Sequence, residues 1–170
     1  MTAALSEKEL YETLMASETV NPFTVTDLFR MLEAGCESQE DLQEMERLCY
    51  SIVSNLCENQ PLASMQRNDT DMVWYDYLGL QVYLFLSGKG KYESDRSAAA
   101  FVGGAIVAKM VDSVSARCQV ESDLLPLVIS LLLCVAGKLT AGTWCQWFYA
   151  ERISRNRALQ KAFREESEKR

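Results

Sequence analysis

A stretch of fifteen residues, Ser97 to Val111 (SAAAFVGGAIVAKMV), constrains the fold more than any other part of the chain. It contains one charge, Lys109, and small or apolar side chains fill every other position, so as a helix it would be buried nearly all round. Its two glycines, Gly103 and Gly104, cost about 1 kcal/mol each against alanine inside a helix, so another group must approach the backbone closely there. The stretch is shorter than the ~20 apolar residues that cross a bilayer. We therefore predict a central core helix and not a membrane span.

Composition excludes several classes of function. The chain has 170 residues and 48 % hydrophobic content, which suits one domain, 1–170, with a single core. A formal net charge of −7 argues against nucleic-acid binding, because phosphate contacts need clustered Lys and Arg. The absence of histidine removes the commonest general base, the commonest metal ligand and every Ser-His or Cys-His dyad. With no Gly-rich phosphate loop and no cluster of metal ligands, we predict a protein that is not an enzyme and uses no cofactor and no metal.

Cysteine placement and the two chain ends bear on the compartment. Six cysteines, at 36, 49, 57, 118, 134 and 145, lie mostly inside apolar helical patterns and never form a C-x-x-C pair. Buried free thiols in a reducing compartment explain this pattern better than disulfides or zinc. The first residues, MTAALSEKELYE, do not resemble a secretory signal, and the last, REESEKR, are not an apolar tail. We expect an intracellular protein with no integral membrane anchor in this chain.

Helical spacing of apolar residues predicts three helices in the first third of the chain. A capping-box pattern at Ser6 begins a helix over 6–17, and Asn21-Pro22 breaks it. A threonine, 24 or 26, can cap a second helix that Gly35 ends. The third begins at Ser38 and repeats apolar residues at i, i+3, i+4 and i+7 through position 57.

Two further apolar runs flank the central stretch. Met72 to Leu86 is apolar and aromatic on most faces, and its length without a turn signal favours a helix over a pair of strands. The segment 112–119 is predicted to be a polar connection. Ser122 then caps an apolar helix over 123–138, in which Pro126 is tolerable in the first turn.

The last part of the chain predicts two more helices. A short helix from about Thr143 holds aromatic side chains that we expect to be core anchors: Trp144, Trp147 and Phe148. The charged segment, about 153–169, is predicted to form a mostly solvated helix. The fold class is therefore all-α, a bundle of seven or eight helices around two apolar central ones.

Arg96 and a later glycine and tryptophan carry a resemblance to a known family. Gly104 stands eight residues after Arg96, and Gly142-Thr143-Trp144 follows the apolar run AIVAKM about 33 residues further on. This order and spacing resemble the first and second homology regions of the Bcl-two (B-cell lymphoma two) family of apoptosis regulators. The family has N-W-G-R before its central helix and a G-W pair at the start of a later helix. Here 93–96 keeps only the arginine, and Thr143 separates the glycine from the tryptophan.

A third region of similarity lies on the third predicted helix. The family pattern has an apolar residue and a second apolar residue three positions later. A small residue comes next, then usually an aspartate, and finally a further apolar residue. That register is matched by Met45, Leu48, Cys49, Tyr50 and Ile52, with Tyr50 in place of the aspartate. A competing match, at Met31, Gly35 and Cys36, lies about fifteen residues too far upstream, and we prefer the later one. The resemblance covers roughly 39–150.

The resemblance implies an inhibitor of apoptosis that sequesters the BH-three helix of pro-death proteins, such as Bim, in a hydrophobic surface groove. In helix-in-groove recognition a few apolar anchors supply the affinity and one charge pair fixes the register. Arg96 matches the arginine that pairs with an acid of the ligand. The remaining groove residues implied by the resemblance are Ile52, Leu56, Val82, Phe85, Leu86, Ala99 and Gly103. Plain core packing explains the first five of these equally well. For Arg96 the alternative is a solvated charge at the start of the helix, which includes a local pair with Asp95 or Glu93, and we favour the ligand pair over it.

Short linkers and diverged motifs make the chain most similar to a viral homologue acting in host–virus interaction. We expect it in the cytoplasm, or at the mitochondrial outer membrane of the host cell. An exposed apolar groove can also support a homodimer. Two alternatives keep the fold: a viral antagonist of innate immune signalling with a closed groove, and a pro-death member that permeabilises membranes.

Overall fold

The structure, a computed structural model, describes residues 5–36, 38–58, 65, 72–93, 104–120 and 123–169. These residues form eight α-helices and two 3-10 helices, and none of them lies in a strand, so the predicted all-α class is confirmed. The helices are α1 (Glu7–Ala16), α2 (Pro22–Ala34), α3 (Gln39–Leu56), α4 (Trp74–Ser87), α5 (Gly104–Cys118), α6 (Leu125–Lys138), α7 (Ala141–Glu151) and α8 (Arg157–Ser167). The 3-10 helices are Gly90–Tyr92 and Ile153–Arg155.

The first three helices begin at polar N-caps. Ser6 and Glu9 form the predicted capping box, in which the Ser6 hydroxyl accepts from the Glu9 amide at 3.2 Å. The predicted start of α2 at Thr24 or Thr26 is wrong, because the Asn21 side chain caps this helix and Pro22 occupies its first turn. Proline suits that position, since its missing N–H would have no partner within the helix. Gly35 ends α2 and Ser38 caps α3, both as predicted.

The helix at the centre of the fold is α4, which confirms the helix predicted over 72–86. Every residue over 74–82 is buried, and α4 contacts α5, α6, α7 and α8. The lone acid in this run, Asp76, is only 8 % exposed. Gly88, in the left-handed conformation, ends the helix where the sequence predicts a stop.

The helix predicted over 97–111 differs in two ways from the structure. Residues 97–103 lie outside the described residues, and the described helix, α5, continues to Cys118, so the predicted connection at 112–119 is wrong. Burial on every face is also wrong for the described part, because one stripe is buried and Ala105 and Asp112 are exposed. Alanine is small enough to remain on a surface at little cost. The buried stripe consists of Ile106, Val107, Met110 and Val114.

The second apolar helix, α6, packs across most of the bundle. It contacts α1, α2, α3, α4, α5 and α7, and it begins at Leu125 with Pro126 in its first turn as predicted. The predicted cap, Ser122, lies outside the described residues. Within the described ranges, no single helix is long and apolar enough to cross a membrane.

The C-terminal helices are more deeply packed than the sequence predicts. Thr140 caps α7, which begins at Ala141, two residues before the predicted start at about Thr143. The three aromatic residues predicted to be core anchors, Trp144, Trp147 and Phe148, are buried. A continuous, mostly solvated helix over 153–169 is wrong: a 3-10 turn and Asn156 precede α8, and one face of α8 is buried. Leu159, Ala162 and Glu166 form that face and are each at most 1 % exposed.

The cysteines are free thiols, as predicted. Cys36 and Cys49 are buried, and the other four are half-buried. Burial raises the pKa of Cys57 and of Cys118 to about 11. Burial also raises the pKa of Cys134 to about 11. These thiols are therefore protonated, and weakly nucleophilic, at neutral pH.

Candidate ligand pocket

The residues implied to line the groove lie on α3 and α4 where the structure describes them. Ile52 and Val82 have no exposed surface, and Phe85 is 3 % exposed. Leu56 is 5 % exposed, and Leu86 is half-buried. A ligand would reach the first three only if neighbouring helices moved apart. Three further residues lie outside the described residues: Arg96, Ala99 and Gly103. The groove therefore stays a prediction.

Leu56 and Phe85 face different neighbours. Leu56 borders a surface depression of about 620 Å³ with Leu5, Leu124 and Leu127, between α1, the end of α3 and the start of α6. Phe85 instead packs edge-on against Tyr92, with 6.0 Å between ring centroids. The two side chains therefore lie in separate surroundings on the two helices.

A pocket does lie between α3 and α4, and α6 and α7 close it. Its accessible volume is about 30 Å³. We call it the α3–α4 pocket, and it is lined by Met45, Glu46, Cys49, Tyr75, Asp76, Gly79, Leu132, Val135, Trp144, Trp147, Phe148 and Arg152.

The α3–α4 pocket continues the face of both helices that carries the predicted groove. Met45 and Cys49 precede Ile52 on α3 by seven and three residues. Tyr75 and Gly79 precede Val82 on α4 by the same intervals. Residues three, four and seven apart share one face of a helix, so the pocket lies one to two turns before the predicted groove residues on both helices.

At the mouth of the pocket, an arginine contacts two acidic side chains and a tryptophan ring. Arg152 places Nη2 3.1 Å from Glu46 Oε2 and Nε 3.8 Å from Asp76 Oδ1. Its guanidinium carbon also lies 5.3 Å from the centroid of the Trp147 ring, within range of a cation–π contact. The Arg152 side chain is 19 % exposed, so water screens these contacts only in part. Asp76 is the lone acid in the apolar run WYDYLGL. Because buried charges are usually paired, such an acid indicates in the sequence that a cation lies nearby in the fold.

Trp147 supplies an unused hydrogen-bond donor. Its Nε1 is buried and has no hydrogen-bond partner, and the residue is 5 % exposed. A buried donor without a partner costs about 1 to 3 kcal/mol. The pocket is larger than the ~10–15 Å³ that one water molecule needs. The pocket is thus lined mainly by apolar side chains, and one of its lining residues, Trp147, has a buried indole N–H without a hydrogen-bond partner.

Gly79 lets α7 approach α4 at this pocket. A Cβ at Gly79 would lie 2.5 Å from Phe148 Cε1, and Phe148 cannot swing away freely because it stacks on Trp144 with centroids 5.0 Å apart. We expect Gly79→Ala to lower the free energy of unfolding by about 1 to 2 kcal/mol, because overpacking outweighs the gain in helix propensity. Urea unfolding followed by circular dichroism measures this. An unchanged or increased stability would contradict the close packing of α7 on α4.

The α3–α4 pocket is lined mainly by apolar and aromatic side chains. Among the described residues, no group of three or more His, Cys, Asp or Glu side chains could hold a metal ion. No family model, no curated protein and no solved structure matches the chain.

Proposed function

We propose that the protein inhibits apoptosis by sequestering the BH-three helix of pro-death proteins along α3 and α4. One observation carries the proposal. Met45 and Cys49 belong to the third region of the resemblance and Trp144 to the second, and all three line the α3–α4 pocket although more than ninety residues separate them in sequence. Residues from two of the regions that carry the resemblance therefore line one pocket, and this supports the proposal.

The physical chemistry of the pocket suits an apolar anchor of an amphipathic helix. Its walls are mainly aromatic and aliphatic, and such anchors supply most of the affinity in helix-in-groove complexes. Its accessible volume of about 30 Å³ is smaller than a leucine side chain, so binding requires α3, α4 or α7 to shift. In this proposal Arg96 pairs with the acid of the ligand and sets the register, because its planar guanidinium can bind a carboxylate in a bidentate manner.

Calorimetric titration with a panel of BH-three peptides tests the proposal. We expect submicromolar binding of one or a few peptides, roughly −8 kcal/mol or better, and at least a tenfold loss in the Arg96→Ala variant. The matched control is Arg30→Ala, which removes an arginine with a 74 % exposed side chain on α2 and should leave the affinity unchanged.

Two outcomes would contradict the proposal that the protein sequesters BH-three helices. One is a folded helical protein that binds no peptide of the panel. The other is an equal loss of affinity in the Arg96 and Arg30 variants, which would mean that only overall charge matters.

The burial of the groove residues favours a second candidate function, a viral antagonist of innate immune signalling with a closed groove. Ile52 and Val82 are fully buried, so the described helices present no open groove at these positions. Absence of peptide binding by the folded protein would move the assignment to this candidate.

A further inference from the structure

One segment of this acidic protein is strongly basic. Residues 152–164, RISRNRALQKAFR, contain five cations and no acid, whereas the whole chain has a formal net charge of −7. The cations are Arg152, Arg155, Arg157, Lys161 and Arg164. Arg152 faces the α3–α4 pocket, and the other four lie on or just before α8.

Three of these cations form a stripe along the outer face of α8. Arg157, Lys161 and Arg164 stand at i, i+4 and i+7, which places them on one side of the helix, and all three are exposed. The Lys161 side chain is 72 % exposed. We call these three residues the basic stripe. The opposite side of α8 packs on α4 and on the 3-10 helix Gly90–Tyr92.

Ion pairs within the protein leave most of this charge free. In the part of the chain that the structure describes, Arg157 and Arg164 have no acidic side chain within 4.0 Å. Lys161 Nζ lies 4.0 Å from Glu165 Oε1, and that glutamate already pairs with Arg117 at 3.0 Å. The stripe therefore presents net positive charge to solvent.

Helix stability explains only part of the basic stripe. Cations favour the C-terminal end of a helix and acids the N-terminal end, because of the helix dipole. Arg164 lies in the last turn of α8, where a cation is favourable, whereas Arg157 occupies the first helical position, where a cation is unfavourable. The stability of α8 therefore does not explain the cation at its start.

We propose that the basic stripe docks the protein on an anionic lipid surface. The apolar side of α8 is already packed on α4, so the helix cannot insert into the bilayer and can contribute only charge. An exposed row of cations matches the spread charge of lipid headgroups, and each Lys or Arg near such a surface adds attraction. Tyr149 is 45 % exposed and lies beside α8. Its ring packs edge-on against Phe163 of that helix, with 6.0 Å between the ring centroids. Tyrosine is a residue that favours the headgroup level.

This inference does not depend on BH-three binding, and vesicle co-sedimentation tests it directly. The wild-type protein should bind vesicles of phosphatidylcholine with phosphatidylserine and not vesicles of phosphatidylcholine alone, and added salt should weaken binding. The triple variant Arg157→Gln, Lys161→Gln, Arg164→Gln should bind at least about tenfold more weakly. Because all three residues are exposed, its helical circular dichroism and thermal midpoint should not fall below those of the wild type.

The matched control removes the same charge elsewhere, by Lys8→Gln, Arg30→Gln and Arg47→Gln on α1, α2 and α3, and it should bind like the wild type. Failure of the wild type to bind anionic vesicles would overturn the proposal. So would an equal loss in both triple variants, since overall charge would then be responsible. Stripe-dependent binding of polyglutamate without vesicle binding would also overturn it, because the partner would then be an acidic protein segment.

Discussion

The Gly90→Ala substitution is expected to lower the free energy of unfolding by about 3 kcal/mol or more. Gly90 has a φ of +60°, which alanine adopts at a cost, and an added Cβ would lie 2.2 Å from the backbone carbonyl oxygen of Glu166. Because the atom in the way belongs to the backbone at the end of α8, a side-chain rotation cannot relieve the clash. The end of α8 must move away from the 3-10 helix. Urea unfolding followed by circular dichroism measures the loss.

The matched control for this substitution is Gly142→Ala. A Cβ at Gly142 meets nothing within 4 Å, and its φ is not positive, so the control adds a methyl group without strain or contact. We expect this variant to change stability by less than about 1 kcal/mol, in the stabilising direction. Similar values for the two variants would show that α8 does not pack against Gly90–Tyr92.

The elements that the sequence predicts well are those set by local chemistry. The capping box at Ser6 and the cap at Ser38 appear in the structure because each depends on side chains within three or four positions of the helix start. The helix over 72–86 is confirmed for a similar reason: a run of that length without a turn residue has to satisfy its own backbone hydrogen bonds.

What the sequence predicts poorly depends on contacts between distant elements. The alanine-rich run around Ile106 can be read as buried on every face, yet Ala105 is exposed, because alanine tolerates both environments. The continuation of α5 was detectable, since Val114 extends the four-residue spacing from Met110 through polar neighbours.

The α3–α4 pocket could not be predicted from the sequence for the same reason. Its charged mouth joins Glu46, Asp76 and Arg152, which come from three helical regions and meet only in the folded chain. Asp76 alone signals that a partner exists, but periodicity cannot say which cation it is. The same holds for the packing of α8, whose buried acid looks like a solvated charge in the sequence.

That buried acid, Glu166, holds α8 to the core through a small polar network. It is 1 % exposed, and its Oε1 accepts hydrogen bonds from the Tyr77 hydroxyl at 2.8 Å and from Lys169 Nζ at 2.9 Å. Lys91 Nζ lies 4.0 Å from Oε2. Burial alone would raise the pKa of Glu166, but the hydrogen bonds from Lys169 and Tyr77 and the charge of Lys91 hold that pKa below its ordinary value of 4.5.

The Glu166→Gln substitution should therefore lower the free energy of unfolding by about 2 to 3 kcal/mol at neutral pH, the range for hydrogen bonds to a buried charged group. Because the pKa is lower in the folded than in the unfolded chain, this contribution is complete above pH 4.5 and is lost as the pH falls through the folded value. The difference in the free energy of unfolding between the wild type and the variant should accordingly shrink in acid.

Urea unfolding at a series of pH values measures this difference, with Glu165→Gln as the control. That neighbouring glutamate has a 40 % exposed side chain, and its loss should cost less than about 1 kcal/mol. Equal losses for the two variants, or a difference that persists in acid, would show that the charge of Glu166 does not stabilise the docking of α8.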